Sequence, residues 1–177
     1  KNNYKLAFKP IVAFGKNGAE PHHRALNTKF SNGFLVLDFG IKYKGYCSDI
    51  TRTIYLGNIS KKEKEFYDLV LSAQKLSLKK VKSGVRCKDL DIFARELFNS
   101  YIKNIRHSLG HGVGKRIHVS PKVGPFNNKK LNVNDIITIE PGLYFKNKFG
   151  IRIEDTLLVR RNGYKVLTNL SKDLFIL

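Results

Sequence analysis

The sequence contains few of the residues that mark disulfide-rich or zinc-ribbon proteins. Among its 177 residues there is no methionine, no tryptophan and only two cysteines, Cys47 and Cys87, which lie far apart. Two distant cysteines outside a Cys-x-x-Cys pattern predict neither a disulfide framework nor a zinc ribbon, so we expect reduced thiols and a cytoplasmic location. Because even the first residue is not methionine, we expect the sequence to be a segment of a longer protein.

Long apolar segments and acidic residues are also scarce. No stretch is apolar over the roughly 20 residues of a membrane-spanning helix, so no membrane partner is expected. Asp and Glu total 14 against 33 Lys and Arg, which gives a formal net charge of +19. That charge favours polyanions, so a nucleic-acid-binding module is one alternative function. The lysines are nevertheless scattered without interleaved aromatic residues, which favours a generally basic, solvated surface.

Hydrophobic patterns predict strands at both ends of the chain. The segment 34–40 is typical of a buried strand and 51–56 of its neighbour, and Lys44-Gly45 marks the turn between them. Together they predict a β-ribbon. Two further strands and a two-residue hairpin turn are predicted at 136–139, 150–159 and Asn162-Gly163.

Between these strands the sequence predicts two helices. Ser60 and Glu63 have capping-box spacing, and an amphipathic pattern follows them as far as Gly84. A second helix is predicted to begin near Lys88. Strands grouped around two helices, with hairpins in place of helical crossovers, indicate a single α+β domain with a largely antiparallel sheet over residues 1–177.

Four acids lie where the surrounding sequence is apolar. Asp38 ends one predicted strand, Asp49 lies on the returning arm of the ribbon, Glu140 ends the 136–139 strand, and Glu154 interrupts apolar alternation. An unpaired carboxylate in such a place costs several kcal/mol or takes up a proton. His111 lies between glycines that let the backbone approach closely. Four carboxylates and one imidazole form a donor set suited to a pair of divalent ions.

Each of these residues also has a simpler interpretation. An aspartate at a strand end accepts backbone hydrogen bonds, a glutamate before Pro-Gly belongs to a turn, and a glycine-flanked histidine belongs to a loop. The glycine-rich segment 110–114 is also typical of loops that bind phosphate. Their joint occurrence favours the metal site.

Several ordered motifs give the chain a resemblance to a known family. It resembles the pita-bread metallopeptidases, in the Xaa-Pro aminopeptidase and prolidase branch, over nearly all of its length. The motifs are Pro21-His22-His23, Leu37-Asp38-Phe39-Gly40, Gly45-Tyr46-Cys47-Ser48-Asp49-Ile50-Thr51-Arg52-Thr53, His107-Ser108-Leu109-Gly110-His111-Gly112-Val113-Gly114, Thr138-Ile139-Glu140-Pro141-Gly142 and Arg152-Ile153-Glu154-Asp155. This resemblance implies a pita-bread fold, with a curved sheet and helices on its outer face.

The resemblance also implies a dinuclear metal site. Asp49 and Glu154 would bridge two divalent ions, Asp38 would complete one site, and His111 with Glu140 would complete the other. Manganese is the expected ion, with cobalt, zinc or iron as alternatives. A water or hydroxide shared by the ions would attack the bond before proline at a peptide amino end, with Glu140 as general base and acid.

Four further residues match substrate-contacting positions of the family. His118 would steady the tetrahedral intermediate, and His22 would lie near the substrate amide; both could instead be surface residues. His107 and Arg152 match the proline-specific branch and favour it over methionine aminopeptidase, which remains an alternative.

Three features depart from the family pattern. Val119 stands where relatives usually carry glutamate, the stretch from His22 to Asp38 is one residue shorter than usual, and the amino-terminal domain of these enzymes is missing. We expect the full-length protein to carry that domain and to form a homodimer. A non-catalytic pita-bread module that binds protein or nucleic acid is the second alternative, and a metal-free hydrolase of the creatinase kind is the third. The complete set of ligand residues argues against both.

Overall fold

The computed structural model describes residues 4–27 and 29–177. Residues 1–3 lie outside it, as does Thr28, which falls in the stretch between His22 and Asp38 that is expected to be one residue shorter than in the family. In chain order the strands are β1 (Lys5–Leu6), β2 (Ile11–Phe14), β3 (Gly33–Phe39), β4 (Ile41–Tyr43), β5 (Tyr46–Cys47), β6 (Ile50–Leu56), β7 (Gly110–Gly112), β8 (Val119–Val123), β9 (Ile136–Ile139), β10 (Gly142–Phe145), β11 (Phe149–Arg152), β12 (Asp155–Arg160) and β13 (Gly163–Val166). The helices are α1 (Lys61–Lys80) and α2 (Cys87–Leu97), with short 3-10 helices at Gly15–Ala19 and Asn99–Asn104.

The strands form antiparallel sheets. The two larger ones have the orders β2-β3-β6 and β13-β12-β9-β7-β8, and β1-β4-β5 and β10-β11 form two smaller ones. Each strand pairing among the described residues is antiparallel. The predicted α+β class with a largely antiparallel sheet is therefore confirmed.

The predicted β-ribbon is present, with an addition. β3 and β6 pair over their whole lengths, and Asp38 lies opposite Thr51. The connection between them is itself a small hairpin of β4 and β5, whose turn contains Lys44 (φ 48°) and Gly45 (φ 86°). Left-handed backbone at two successive residues is a turn conformation that glycine adopts without strain, so the turn predicted here is confirmed.

The two predicted helices are present. Ser60 caps α1, because its hydroxyl accepts a hydrogen bond from the Glu63 amide while the Glu63 carboxylate accepts one from the Ser60 amide. Phe66, Val70 and Ala73 of α1 are buried against the sheets. The helix predicted near Lys88 begins one residue earlier, at Cys87.

The single strand predicted over 150–159 is wrong. β11 ends at Arg152 and pairs with β10, whereas β12 begins at Asp155 and pairs with β9. Ile153 and Glu154 join the two strands, so the chain changes sheets where Glu154 lies. The hairpin that follows is present, but Arg160 pairs with Gly163. Its loop residues are therefore Arg161 and Asn162, one position earlier than predicted.

Two main hydrophobic clusters lie between the helices and the sheets. One joins the end of α1 and α2 to β9 and β12 through residues such as Leu90, Ile137 and Leu157. The other joins α1 to β10 and β11, with Phe66 and Leu143 among its members. Neither helix combines the length and hydrophobicity that crossing a bilayer requires, over the residues the structure describes.

Candidate metal centre

The ribbon brings the first two acids to the same end of the sheet. Asp38 is the next-to-last residue of β3, and Asp49 immediately precedes β6. Because Phe39 pairs with Ile50, the two carboxylates occupy neighbouring positions where the ribbon begins to open. Both residues are buried and both line one open cleft of about 1600 Å³.

The second sheet contributes the histidine and the third acid. His111 is the middle residue of β7, and Glu140 directly follows β9. His111 Nε2 lies 3.3 Å from Glu140 Oε1 and 3.5 Å from Asp49 Oδ2. A Cβ on Gly110 would lie only 2.0 Å from the Thr138 carbonyl oxygen, so glycine is required for this approach of β7 to β9.

Glu154 reaches the same place from the junction of β11 and β12. Its amide donates to the Thr51 carbonyl oxygen at 3.1 Å, and its Oε2 accepts from the Thr51 hydroxyl at 2.6 Å. Ligand atoms of Asp49, His111 and Glu154 all lie within 4.8 Å of one another. Residues distant in the sequence therefore converge on one point.

Burial and mutual repulsion raise the pKa values of three of these acids. Burial, then the Asp38 and Glu140 carboxylates, raises the pKa of Asp49 to about 8. Burial raises the pKa of Glu140 to about 7, with the Asp38 carboxylate adding to the effect and Arg152 opposing it. The pKa of Glu154 is also raised well above its usual range, by burial and by Glu140 and Asp49. Such a group of acids needs positive charge.

Two details of the donor atoms fit a divalent cation. His111 Nδ1 lies 3.0 Å from the Gly112 carbonyl oxygen, which can only accept, so Nδ1 carries the proton and the Nε2 lone pair faces the acids. Burial lowers the pKa of His111 to about 4, which keeps the ring neutral. Asp38 Oδ1 is buried with no hydrogen-bond partner among the described residues. An unpartnered carboxylate oxygen and a bare imidazole nitrogen are ligand atoms for a metal.

Arg152, Tyr144 and His107 form a connected row beside the acids. Arg152 donates to Asp38 Oδ2 at 2.6 Å and to the Tyr144 hydroxyl oxygen at 2.8 Å. The Tyr144 hydroxyl lies 2.7 Å from His107 Nε2, and His107 Nδ1 lies 2.8 Å from the Ser108 carbonyl oxygen. His107 thus carries its proton on Nδ1 and accepts from Tyr144. Burial lowers the pKa of His107 to about 3, so the ring is neutral.

The other two histidines expected at the site, His22 and His118, lie in the open part of the cleft. His22 and His118 are exposed, and the His118 ring stands 4.2 Å from the His111 ring in an edge-to-face arrangement. The cleft contains all of the site residues expected from the sequence: His22, Asp38, Asp49, His107, His111, His118, Glu140, Arg152 and Glu154. Their individual roles stay predictions.

Comparison with known proteins decides the family. The sequence profile of metallopeptidase family M24 matches residues 1–161. The chain belongs to metallopeptidase family M24. The expected family is thereby confirmed, and relatives named Xaa-Pro dipeptidase are 43% identical to the chain.

Several relatives of this M24 chain are named Xaa-Pro dipeptidase or X-Pro aminopeptidase. It is 43% identical over 173 residues to a Xaa-Pro dipeptidase of Pyrococcus horikoshii, covering 96% of this chain and 49% of that protein. It is similar to the solved Xaa-Pro dipeptidase of Bacillus anthracis, with a TM-score of 0.95 and 40% identity over 98% of this chain and 50% of that one. The X-Pro aminopeptidase of Thermotoga maritima gives a TM-score of 0.94 and 40% identity over 97% and 49% of the two chains.

These similarities confirm the expected pita-bread fold for the M24 chain, and they also show its extent. The chain spans about half the length of the relatives that it matches. What the relatives' names say they act on therefore bears on this protein only as a proposal.

Three contributors to the site were not identified from the sequence. Thr51 and Thr138 donate hydroxyl hydrogen bonds to Glu154 and Glu140, and Tyr144 joins Arg152 to His107. The threonines could have been found, because each is two residues from an acid in an extended segment and so lies on the same face. Tyr144 gave no such signal, since its hydroxyl meets His107 only through the packing of β10.

Proposed function

We propose that the complete protein is a dinuclear-metal peptidase that hydrolyses the Xaa-Pro bond at peptide amino ends. The observation that carries the proposal is the convergence of Asp38, Asp49, His111, Glu140 and Glu154 on one cleft. The proline-specific relatives support the choice of substrate.

The family resemblance implies how two ions would be held. Asp49 and Glu154 would contribute to both ions, Asp38 to one, and His111 with Glu140 to the other. Two divalent cations bound there would polarise the scissile carbonyl and lower the pKa of the attacking water. The four carboxylates would then be neutralised by charges of the opposite sign, which removes the repulsion between them.

Glu140 is the proposed general base and acid. Its carboxylate would accept the proton of the attacking water and deliver it to the leaving proline nitrogen. The Thr138 hydroxyl donates to Glu140 Oε1 at 3.1 Å, and the Leu109 carbonyl oxygen accepts from the Glu140 amide at 2.8 Å. These two contacts fix the direction in which the carboxylate points.

The other cleft residues would bind and orient the peptide substrate. His118, beside His111, would donate to the oxygen of the tetrahedral intermediate, and His22 would lie near the substrate amide. Arg152 and His107, linked through Tyr144, would border the pocket for the proline residue. Burial lowers the pKa of His118, so its ring is a neutral donor at neutral pH.

The proposal includes three finer expectations. Manganese is the working ion by family resemblance, with cobalt, zinc and iron as alternatives, and the same resemblance suggests a homodimer of the complete protein. A cytoplasmic location is supported by Cys47 and Cys87, which are both free thiols in the structure.

Hydrolysis of defined peptides tests the proposal. The complete protein, supplied with Mn²⁺ or Co²⁺, should cleave Ala-Pro dipeptide or longer Ala-Pro peptides, and the comparison of the two separates dipeptidase from aminopeptidase. Glu140→Gln should lower kcat by at least about 100-fold, because general acid–base catalysis typically contributes that much. Glu65→Gln, an identical change on the exposed face of α1, should leave kcat unchanged.

Other outcomes identify the alternatives. Cleavage of Met-Ala peptides in preference to Ala-Pro peptides would indicate a methionine aminopeptidase. Hydrolysis that persists undiminished after metal removal would indicate the metal-free kind of enzyme. No cleavage of either peptide, together with salt-dependent DNA or RNA binding by the metal-free protein, would replace the proposal with a binding module.

A further inference from the structure

Helix α2 carries a buried carboxylate that lies outside the metal centre. Asp91 is 1% exposed and lies on the buried face of the helix with Cys87 and Ala94. Its Oδ1 accepts a hydrogen bond from the Leu109 amide at 2.8 Å, and its Oδ2 accepts one from Arg95 Nε, one helical turn further along. A buried carboxylate is retained only where such partners hold it, so its place in the fold is well defined.

Arg95 extends this contact to a second backbone group. Its Nη2 donates to the His107 carbonyl oxygen at 3.1 Å. Asp91 therefore holds the chain on one side of Ser108, and Arg95 holds it on the other. We call these two side chains the α2 clamp.

The segment held by the α2 clamp is connected directly to the candidate site. The Leu109 amide binds Asp91, while the Leu109 carbonyl oxygen accepts from the Glu140 amide at 2.8 Å. On the other side of Ser108, the His107 ring reaches the Tyr144 hydroxyl at 2.7 Å. A shift of residues 107–109 would thus displace the His107 ring and the backbone of Glu140 together.

We propose that Asp91 and Arg95 are positioning residues for hydrolysis, a role that rests on the proposed function. Asp91 and Arg95 hold residues 107–109 against β9, so that the Glu140 carboxylate and the His107 ring keep the directions that catalysis requires. Displacement of about 1 Å at a reacting group can cost about 100-fold in rate, so a clamp that never contacts substrate can still control kcat.

Steady-state kinetics of the complete protein on Ala-Pro peptides tests this role. Asp91→Ala leaves the Leu109 amide unpaired and should lower kcat by roughly 10- to 100-fold with little change in KM. Asp91→Asn keeps an acceptor oxygen for Leu109 and should recover much of kcat. Asp89→Ala is the matched control, since Asp89 lies on the same helix in an exposed ion pair with Arg86. Each variant is assayed at a temperature where circular dichroism shows it fully folded.

A spectroscopic readout makes the result independent of turnover. In ¹⁵N-histidine-labelled protein, with His107 assigned through His107→Gln, the wild-type ring should show one tautomer protonated on Nδ1. Asp91→Ala should give a mixture of tautomers because the contact with Tyr144 loosens, whereas Asp89→Ala should match wild type.

The two readouts separate the possible failures. If kcat and the His107 tautomer in Asp91→Ala equal those of Asp89→Ala, the α2 clamp has no positioning role and the inference is wrong. If Asp91→Ala does not fold, Arg95→Ala decides, because it removes the hydrogen bond to the His107 carbonyl oxygen. A lowered kcat with an altered tautomer in Arg95→Ala supports the role, and wild-type values for both refute it. If wild-type protein cleaves no peptide, the proposed function fails, whereas a tautomer change confined to the Asp91 variants still supports the clamp.

Discussion

At the scale of single residues, the cleft contains four carboxylates beside one buried guanidinium. Arg152 is paired with Asp38, and one guanidinium cannot offset four carboxylates. Burial, with the repulsion among the carboxylates adding to it, raises the pKa values of Asp49, Glu140 and Glu154. Leaving buried charges uncompensated costs several kcal/mol, so a chain that keeps four of them together favours a cation at that point.

The thiols of Cys47 and Cys87 should differ in reactivity because they differ in burial. Cys87 is fully buried at the start of α2, and burial raises the pKa of its thiol to about 11, whereas Cys47 is partly exposed. Because the thiolate is the nucleophile, a thiol reagent at pH 8 should modify one cysteine in the folded chain and both in denaturant. In folded Cys47→Ser protein the reagent should modify no thiol. Modification of Cys87 in that folded variant would contradict the prediction.

At the scale of secondary-structure elements, β7 packs very closely against the backbone of its neighbouring strands. It is three residues long, and a glycine stands on each side of His111. A Cβ at Gly110 would meet the Thr138 carbonyl oxygen at 2.0 Å, and one at Gly112 would meet the Ser120 carbonyl oxygen at 2.6 Å. The strand can therefore lie between β8 and β9 only with those glycines.

Gly110→Ala should separate β7 from β9. Overpacking of this kind costs about 1–3 kcal/mol, and here the displaced atoms are backbone, which cannot turn away as a side chain can. Urea unfolding should show the lost stability, and the visible spectrum of bound Co²⁺ should change because His111 moves. Gly114→Ala is the control, since a Cβ there would meet only the Val119 side chain, at the ordinary contact distances of 3.6 and 3.8 Å. Equal stability and equal spectra in the two variants would contradict the argument.

The secondary structure agrees with the sequence-based prediction where a local sequence pattern determines it. The capping box of Ser60 and Glu63 and the ribbon turn at Lys44-Gly45 depend on neighbours in the chain, so both were predicted correctly. The break at Ile153-Glu154 was missed because apolar alternation continues across it, while the strands on its two sides join different sheets. Which sheet a strand joins depends on distant partners that periodicity does not reveal.

At the scale of the whole molecule, the ligand residues were predictable and the surrounding network was not. Asp38 and Glu140 are conspicuous in the sequence because each follows a run of apolar residues. Asp91 is inconspicuous, since an aspartate on an amphipathic helix normally faces water. Its burial follows from the way α2 packs beside residues 107–109. Such contacts arise only when helix α2 packs against the chain segment that follows it.

The assembled molecule should depend on metal for stability. A ligand that binds only the folded state, at 100 times its Kd, adds about 2.7 kcal/mol to the free energy of unfolding. Mn²⁺ should therefore raise the thermal midpoint of the complete protein by several degrees, and a chelator should reverse the change. Differential scanning calorimetry measures both.

Substitution of one carboxylate separates this effect from unspecific binding of ions. Glu154→Gln removes one of four mutually repelling acids, so the metal-free variant should melt higher than metal-free wild type and should lose most of its response to Mn²⁺. Glu65→Gln makes the same change of charge on the exposed face of α1 and should respond to Mn²⁺ as wild type does. If Glu154→Gln keeps the full response, Mn²⁺ binds elsewhere on the protein, and the convergence of the five side chains does not form the metal site.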